Sequence, residues 1–272
     1  MATLKLGTQS VNDIKKGTTN IPSAYLGGYR FSFSSGDTPT PDSYIIPFED
    51  SNVKTLCVNN WGGNVVAGEL TYGEAKQVTS LGTVFRTNTS ITSFNELVYF
   101  KGLTSLNNGE FAGCRNLTDI VIPNNITTLG YDQANRNTFS GCSNLSGITM
   151  ISGGESLTMN GTANNGSYYM NSSHQTVPMV FPDRQMTLSN GAFGYYDYLT
   201  TVYFQCSTPP TNLANADISN YRKLANVYCP IGSLSAYETA LAGKGKTIRE
   251  YDFETDSLGL LDKEKEWAQK TK

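Results

Sequence analysis

The chain is poor in the residues from which most catalytic centres are built. Its 272 residues hold one histidine, His174. Paired-histidine metal sites are therefore excluded, and any triad would rest on that single ring. His174 lies in Asn171-Ser-Ser-His-Gln-Thr176 with no Gly-x-Ser-x-Gly elbow in the chain, and it reads as a solvated loop residue. Charge is scarce as well. Asp, Glu, Lys and Arg make up 16 %, against a usual share of roughly 25 %. The net charge of −3 and the isoelectric point near 5.3 give no basic field for nucleic acid. No apolar run is long enough to span a bilayer, and none follows Met1-Ala-Thr-Leu-Lys-Leu-Gly7 that would serve as a signal peptide. The expectation is a soluble chain made in the cytosol and not inserted in a membrane. The five cysteines, Cys57, Cys114, Cys142, Cys206 and Cys229, lack Cys-x-x-Cys spacing, which gives no sign of a zinc or thiol-redox centre. Their odd number leaves at least one thiol free, and the reading is five buried, reduced thiols. No spacing of carboxylates selects a glycosidase pair. Catalytic, cofactor-binding and metal-ligating residues are all expected to be none.

What the chain has in excess is glycine (26) and tyrosine (16), with Asn, Ser and Thr recurring throughout. That texture is β-rich and suited to binding. It also repeats. Phe111-Ala-Gly-Cys-Arg-Asn-Leu117-Thr-Asp-Ile120-Val-Ile122 and Phe139-Ser-Gly-Cys-Ser-Asn-Leu145-Ser-Gly-Ile148-Thr-Met150 share the pattern Phe-x-Gly-Cys-x-Asn-Leu-x-x-Ile-x-Ile/Met, offset by 28 residues. Weaker copies follow at Met179-Val-Phe181, Val202-Tyr-Phe204 and Val227-Tyr-Cys229. Each copy has two apolar residues at i and i+2, which share one face of a strand. The inward pairs are Ile120/Ile122, Ile148/Met150, Met179/Phe181, Val202/Phe204 and Val227/Cys229. No turn could bury such a pair alone, so the strands must stack into a solenoid. Turn signals between Ser152 and Gln175 suggest an inserted loop or hairpin around Leu157-Thr-Met159.

The run Phe-x-Gly-Cys-x-Asn-Leu, continued by Ile120-Val-Ile-Pro-Asn-Asn-Ile-Thr-Thr-Leu-Gly130, resembles the BspA-type leucine-rich repeat of surface antigens from gut and oral anaerobes and their phages. Phe85 to Leu106 looks like the entry to such an array. Thr208-Pro-Pro-Thr and Val227 to Tyr237 look like its exit. The resemblance spans residues 42 to 250 and implies a right-handed solenoid with a binding role, usually adhesion, and no catalysis. The fold class expected is mainly β with some α: a leucine-rich-repeat solenoid over 83–250, with a helical N-terminal cap over 42–82 and a small N-terminal β-module over 1–35.

In the cap, Asp50 or Ser51 can start a helix whose apolar face is Val53, Leu56, Cys57 and Trp61. A second helix is expected from Thr71 toward Leu81, with Thr71 and Glu74 as a capping box. Helix, loop and helix together resemble an EF-hand or dockerin-like unit. With Glu74 as its twelfth position, Gly68 falls at the sixth, but Gly63, Val65 and Ala67 stand at the first, third and fifth without a side-chain oxygen. The unit reads as a degenerate cap over the open first turn.

Residues 3 to 33 are short strands divided by glycine turns. Leu-Gly-x-x-x-Val-x-x-Ile-x-x-Gly, then Ile-x-x-x-Tyr-x-Gly, resembles the small β-module that opens many phage tail and fibre proteins, where it tethers a distal domain to the particle. An N-terminal hairpin lying on its own solenoid is the other reading. Ser34 to Pro41 is a linker. The segment 251–272 is a charged tail around Trp267, which either anchors on a partner or folds back as a small cap.

The outward strand positions are Asp119/Val121, Gly147/Thr149, Pro178/Val180, Thr201/Tyr203 and Asn226/Tyr228. Tyr203 and Tyr228 should stand side by side on the exposed face, with Tyr195, Tyr196 and Tyr198 in nearby loops. Tyrosine offers a rigid apolar plate with a hydroxyl, suited to sugars or protein partners. The candidate partner-binding residues are thus Tyr203, Tyr228, Thr201, Asn226, Thr149, Tyr195, Tyr196, Tyr198 and Trp267. These tyrosines could equally cover the β-face or meet a neighbouring subunit. The function expected is a non-enzymatic phage virion protein, a tail or head fibre or decoration protein. It would attach to other virion proteins through residues 1–35, displaying the repeats to a host-surface glycan or protein as a homo-oligomer. A bacterial cell-surface adhesin is the alternative, and a carbohydrate-active enzyme the remote third.

Overall fold

A computed structural model describes residues 40–130, 137–160, 178–189, 200–216 and 225–270 in full, with the backbone of six short strands between residues 4 and 32. The chain divides into two units, Met1–Thr40 and Pro41–Thr271. In the first, the strands form three antiparallel pairs: β1 (Leu4–Leu6) with β2 (Gln9–Val11), β3 (Lys15–Lys16) with β4 (Thr19–Asn20), and β5 (Ser23–Leu26) with β6 (Tyr29–Ser32). Leu26 pairs with Tyr29, so only Gly27 and Gly28 connect β5 to β6, a spacing at which Gly-Gly is favoured.

The second unit opens with α1 (Ser51–Trp61), and its N-cap is Asp50. Asp50 Oδ1 accepts from the N–H groups of Asn52 and Val53, while Oδ2 accepts from the N–H and hydroxyl of Thr92 at 2.6 and 2.9 Å. One carboxylate therefore starts the helix and fixes it to the first strand of the solenoid. Val53 and Cys57 are buried, and Trp61 lies against Phe85 and Phe100. The expected cap over the first turn is formed in this way.

The Thr71/Glu74 capping box is present, but the second helix, α2, is a single turn, Tyr72–Ala75, and not a helix reaching Leu81. The chain beyond it is held by tertiary contact. Gly102 passes so close that a Cβ there would lie 2.6 Å from the Lys76 carbonyl oxygen and 3.0 Å from that of Val78.

From here the chain winds through about five turns that build two parallel ladders. The first consists of two successive parallel sheets, one of β7 (Ser93–Phe94), β9 (Asp119–Ile122) and β11 (Gly147–Met150), the other of β13 (Met179–Phe181), β15 (Thr201–Phe204), β16 (Asn226–Pro230) and β17 (Thr247–Tyr251). The second is β8 (Ser105–Leu106), β10 (Thr128–Leu129), β12 (Leu157–Met159) and β14 (Met186–Leu188). Leu157-Thr-Met159 is thus a regular member of the second ladder, between β10 and β14, and not an inserted loop or hairpin. Its alternation of buried Leu157 and Met159 about Thr158 serves the core as well as β10 does.

The registers pair like with like: Ile148 with Ile120, Met150 with Ile122, Met179 with Val202, Phe181 with Phe204, and Val202 with Val227. These are the inward columns expected from the repeat. On the second ladder, Leu106, Leu129, Met159 and Leu188 form a matching buried column. Each such side chain contributes about 1.5–3 kcal/mol on burial.

The repeat motif has a physical cause at each position. Phe85, Phe111 and Phe139 stack at 5.4 and 5.6 Å between ring centroids. The thiols of Cys114 and Cys142 donate to the carbonyls of Phe85 and Phe111, each in the preceding turn. Gly113 and Gly141 sit at φ +81° and +74°, where a side chain would be strained. Asn116 Nδ2 donates to the Thr89 carbonyl, and Asn125 Nδ2 to those of Phe100 and Leu103. All five cysteines are free and buried.

After β16 come α3 (Leu234–Ala240) and β17, and the chain ends in α4 (Asp262–Gln269). One hydrophobic cluster extends from Ile46 to Trp267.

Candidate binding face

The outward side of the first ladder places the predicted residues in register. Thr201 lies opposite Asn226, which lies opposite Thr247, and Tyr203 lies opposite Tyr228, which lies opposite Arg249. The rings of Tyr203 and Tyr228 stack with centroids 4.4 Å apart and planes within 7°. The two tyrosines do stand side by side.

They are not equally open. Tyr203 is 5 % exposed, which corrects the expectation of an exposed plate. Tyr251, the last residue of β17, and Phe253 just beyond it stand edge-on against it at 5.1 and 6.4 Å. Burial, with Tyr228 and Tyr251 alongside, pushes the Tyr203 phenol up from its ordinary value. Tyr203 therefore backs the site, and Tyr228, half-buried, presents it. Beside Tyr228, Asn226 accepts from the Arg249 guanidinium at 2.6 Å. Thr201 is half-buried next to it. Tyr251, Phe253 and Arg249 were missed as site residues. The alternation in Thr247-Ile-Arg-Glu-Tyr251 was the available signal, because it sets Arg249 and Tyr251 on the side opposite Ile248.

The lower part of the face is covered by the chain itself. Trp267 is 3 % exposed and belongs to the core cluster. As a candidate partner anchor it is corrected: the segment folds back, because α4 has partners on the ladder. Lys263 pairs with Asp119 on β9. Glu264 accepts from the Ser152 N–H at 2.7 Å and from the Gln205 amide at 2.8 Å. Val121 faces outward yet is 0 % exposed, two residues along β9 from the Asp119 that holds Lys263. Burial pulls the Lys263 ammonium below its ordinary value, against the opposing pull of Glu49, Glu266 and Glu96.

Thr149 is half-buried at a cavity of about 250 Å³ between β11 and the C-terminal segment, with Pro178, Val180 and Leu260 also lining it. Thr149 and Tyr228 are thus in separate settings, one beside the folded-back segment and one at the far end of the ladder. Tyr195, Tyr196, Tyr198 and His174 lie outside the described residues.

The loop between α1 and α2 is closed by Glu74. Glu74 Oε1 accepts from the N–H groups of Asn64 and Val65, and Oε2 from the N–H and hydroxyl of Thr71. Burial opposes ionisation of Glu74, but these hydrogen bonds outweigh it and hold the carboxyl below its ordinary value. Among the described residues no group of three or more His, Cys, Asp or Glu side chains is placed to hold a metal ion.

Stacked turns, two parallel ladders and a preformed aromatic edge define a repeat-built scaffold of the kind used for binding. The model of the BspA type leucine rich repeat region matches residues 83–244 in six copies, over half of the chain, and the chain belongs to that family. Comparisons with curated proteins and with solved structures found no match.

Proposed function

We propose that this is a non-enzymatic adhesion protein of a phage virion. Residues 1–35 attach it to other virion proteins, and the repeat domain stands on the particle surface to bind a host-surface glycan or protein. The observation that carries the adhesion reading is the register of the first ladder. It stacks Tyr228 on Tyr203 and sets Asn226, Thr201 and Arg249 around it on a rigid backbone, so binding loses little ordering entropy. The contact set is Tyr228, Asn226, Thr201 and Arg249, with Tyr203 as support. Membership of the repeat family supports a binding scaffold. The resemblance of residues 3 to 33 to phage tail and fibre modules supports the virion setting, as does the separation of Met1–Thr40 as a unit of its own.

The test is binding of the full chain to intact host cells, compared with Tyr228→Ala and Asn226→Ala variants whose melting curves match the parent. Loss of about tenfold or more is expected for Tyr228→Ala, the scale of a central aromatic contact. Binding unchanged in both variants removes this face as the contact. Antibody against the repeats should decorate particles in a lysate. Decoration of the bacterial envelope instead would replace the virion setting with a cell-surface adhesin.

A further inference from the structure

The helical cap contains a feature that the adhesion reading does not use. Between the C-terminal end of α1, the loop at 64–65 and α2 lies a cavity of about 740 Å³, within the roughly 300–1,000 Å³ usual for small-ligand sites. Its lining combines an apolar platform with planar polar groups. Trp61 is half-buried, and its indole is fixed from behind by Phe85 at 6.3 Å and Phe100 at 5.8 Å. Val65 is 64 % exposed, a large apolar side chain left in solvent at the mouth. Val78 completes the apolar part. The side-chain amides of Asn64 and Gln77 are exposed on the lining, and neither bonds to another described residue. Each offers a donor pair and an acceptor in one plane.

We propose that this cleft binds a neutral pyranose sugar, with Trp61 as the platform and Asn64 and Gln77 as hydroxyl partners. A pyranose presents an apolar C–H face together with a rim of hydroxyls, which is the complement of an indole flanked by amides. The cleft is preformed. Glu74 clamps the N–H groups of Asn64 and Val65, and the Gly63 N–H donates to Glu69 across the loop. Little ordering cost therefore opposes binding. The charge on the rim favours a neutral ligand. The lining has no Lys or Arg and carries the carboxylates of Glu74 and of Asp42, which pairs with Lys76 at 2.6 Å, so an acidic sugar meets no cation there.

The proposal is independent of the Tyr228 face, and its test keeps the two apart. The full chain is titrated with cellobiose, lactose and N,N′-diacetylchitobiose, by calorimetry and by tryptophan emission. The second tryptophan, Trp267, is buried, so a change in emission reports Trp61. At least one disaccharide should bind saturably. The double variant Asn64→Ala/Gln77→Ala alters only exposed side chains and keeps the fold. It should weaken binding about tenfold, the loss of two hydrogen bonds. Tyr228→Ala should leave sugar binding unchanged. The proposal is overturned if none of the three sugars binds, if the double variant binds as the parent does, or if Tyr228→Ala abolishes the signal. Host-cell binding that fails while sugar binding persists counts only against the Tyr228 face.

Discussion

Asp50 does two jobs with one carboxylate, and its removal separates them. As the N-cap of α1 it is worth about 1 kcal/mol. Replacing it with alanine also leaves the Thr92 N–H, at the start of the first turn, without its acceptor, which costs a further 1–3 kcal/mol or so. Asp50→Ala should therefore lose about 2–4 kcal/mol in urea unfolding at neutral pH. Burial alone would raise the Asp50 pKa, but the hydrogen bonds from Thr92, Asn52 and Val53 prevail and lower it. A carboxyl whose folded pKa is depressed contributes stability that is fully present above its unfolded value, near pH 4 or so. That contribution is lost as pH falls through the folded value. The stability gap between parent and Asp50→Asn should stay constant above about pH 4 and close below it. A gap that persists unchanged to the acid limit would show that the carboxylate charge is not what Thr92 and the helix start depend on. The repeat residues follow the same logic. Cys114 and Cys142 are there as small donors to the carbonyl of the turn before, which is why they recur without forming a disulfide.

α4 shows how an element that looks solvated becomes structural. Its sequence, Asp-Lys-Glu-Lys-Glu-Trp-Ala-Gln, has one large apolar residue. The helix is held by that indole and by the contacts of Lys263 and Glu264 with Asp119, Ser152 and Gln205. Trp267→Ala removes the apolar part of this clamp, a loss of about 3–5 kcal/mol for the docked helix. The expected result is rapid hydrogen exchange across 262–269, new exchange at the Ser152 N–H that Glu264 accepts, and binding of a hydrophobic dye, with the Phe111/Phe139 region still protected. Unchanged exchange in α4 would mean that the polar contacts alone hold it. The clamp also marks where the sequence stops being informative. The first ladder was legible because an i, i+2 apolar pair recurs at each turn and can face only inward. The second was missed because its strands are two or three residues long. Its signal is no more than Ser105-Leu106, Thr128-Leu129, Thr158-Met159 and Thr187-Leu188, and the last strand pair but one was hidden among turn residues. Alternation shows that Tyr203 and Val121 leave the core side of their strands. It does not show that Tyr251 and Phe253 come back over Tyr203, or that α4 returns to Asp119, Ser152 and Gln205. The helix at Thr71 was legible in its cap and not in its length, since the approach of Gly102 to Lys76 is a tertiary event.

A solenoid is stable only if its two open ends are closed, and the second unit closes both from its own residues. At the start, Val53, Cys57 and Trp61 of the cap cover Phe85 and Phe100. At the far end, Tyr237 of α3 is buried against Phe204, and its hydroxyl donates to the Cys206 carbonyl at 2.8 Å. The last strand, β17, carries exposed Thr247, Arg249 and Glu250, and charge of this kind keeps a free sheet edge from recruiting another chain. Among the described residues one apolar cluster runs from Ile46 to Trp267 within the second unit. A chain that begins at Pro41 should therefore fold with the thermal midpoint and denaturant dependence of the parent domain, and unfold in one transition, because neither end frays first. Loss of that transition, or aggregation on removal of Met1–Thr40, would show that the first unit completes the core of the second. If it folds as expected, the shortened chain also divides the two halves of the proposed function. It should bind host cells as the full chain does, since Tyr228 and its neighbours are intact, yet fail to join assembled particles. A shortened chain that still appears on particles would place the attachment in the repeat domain and leave the N-terminal hairpins without that role.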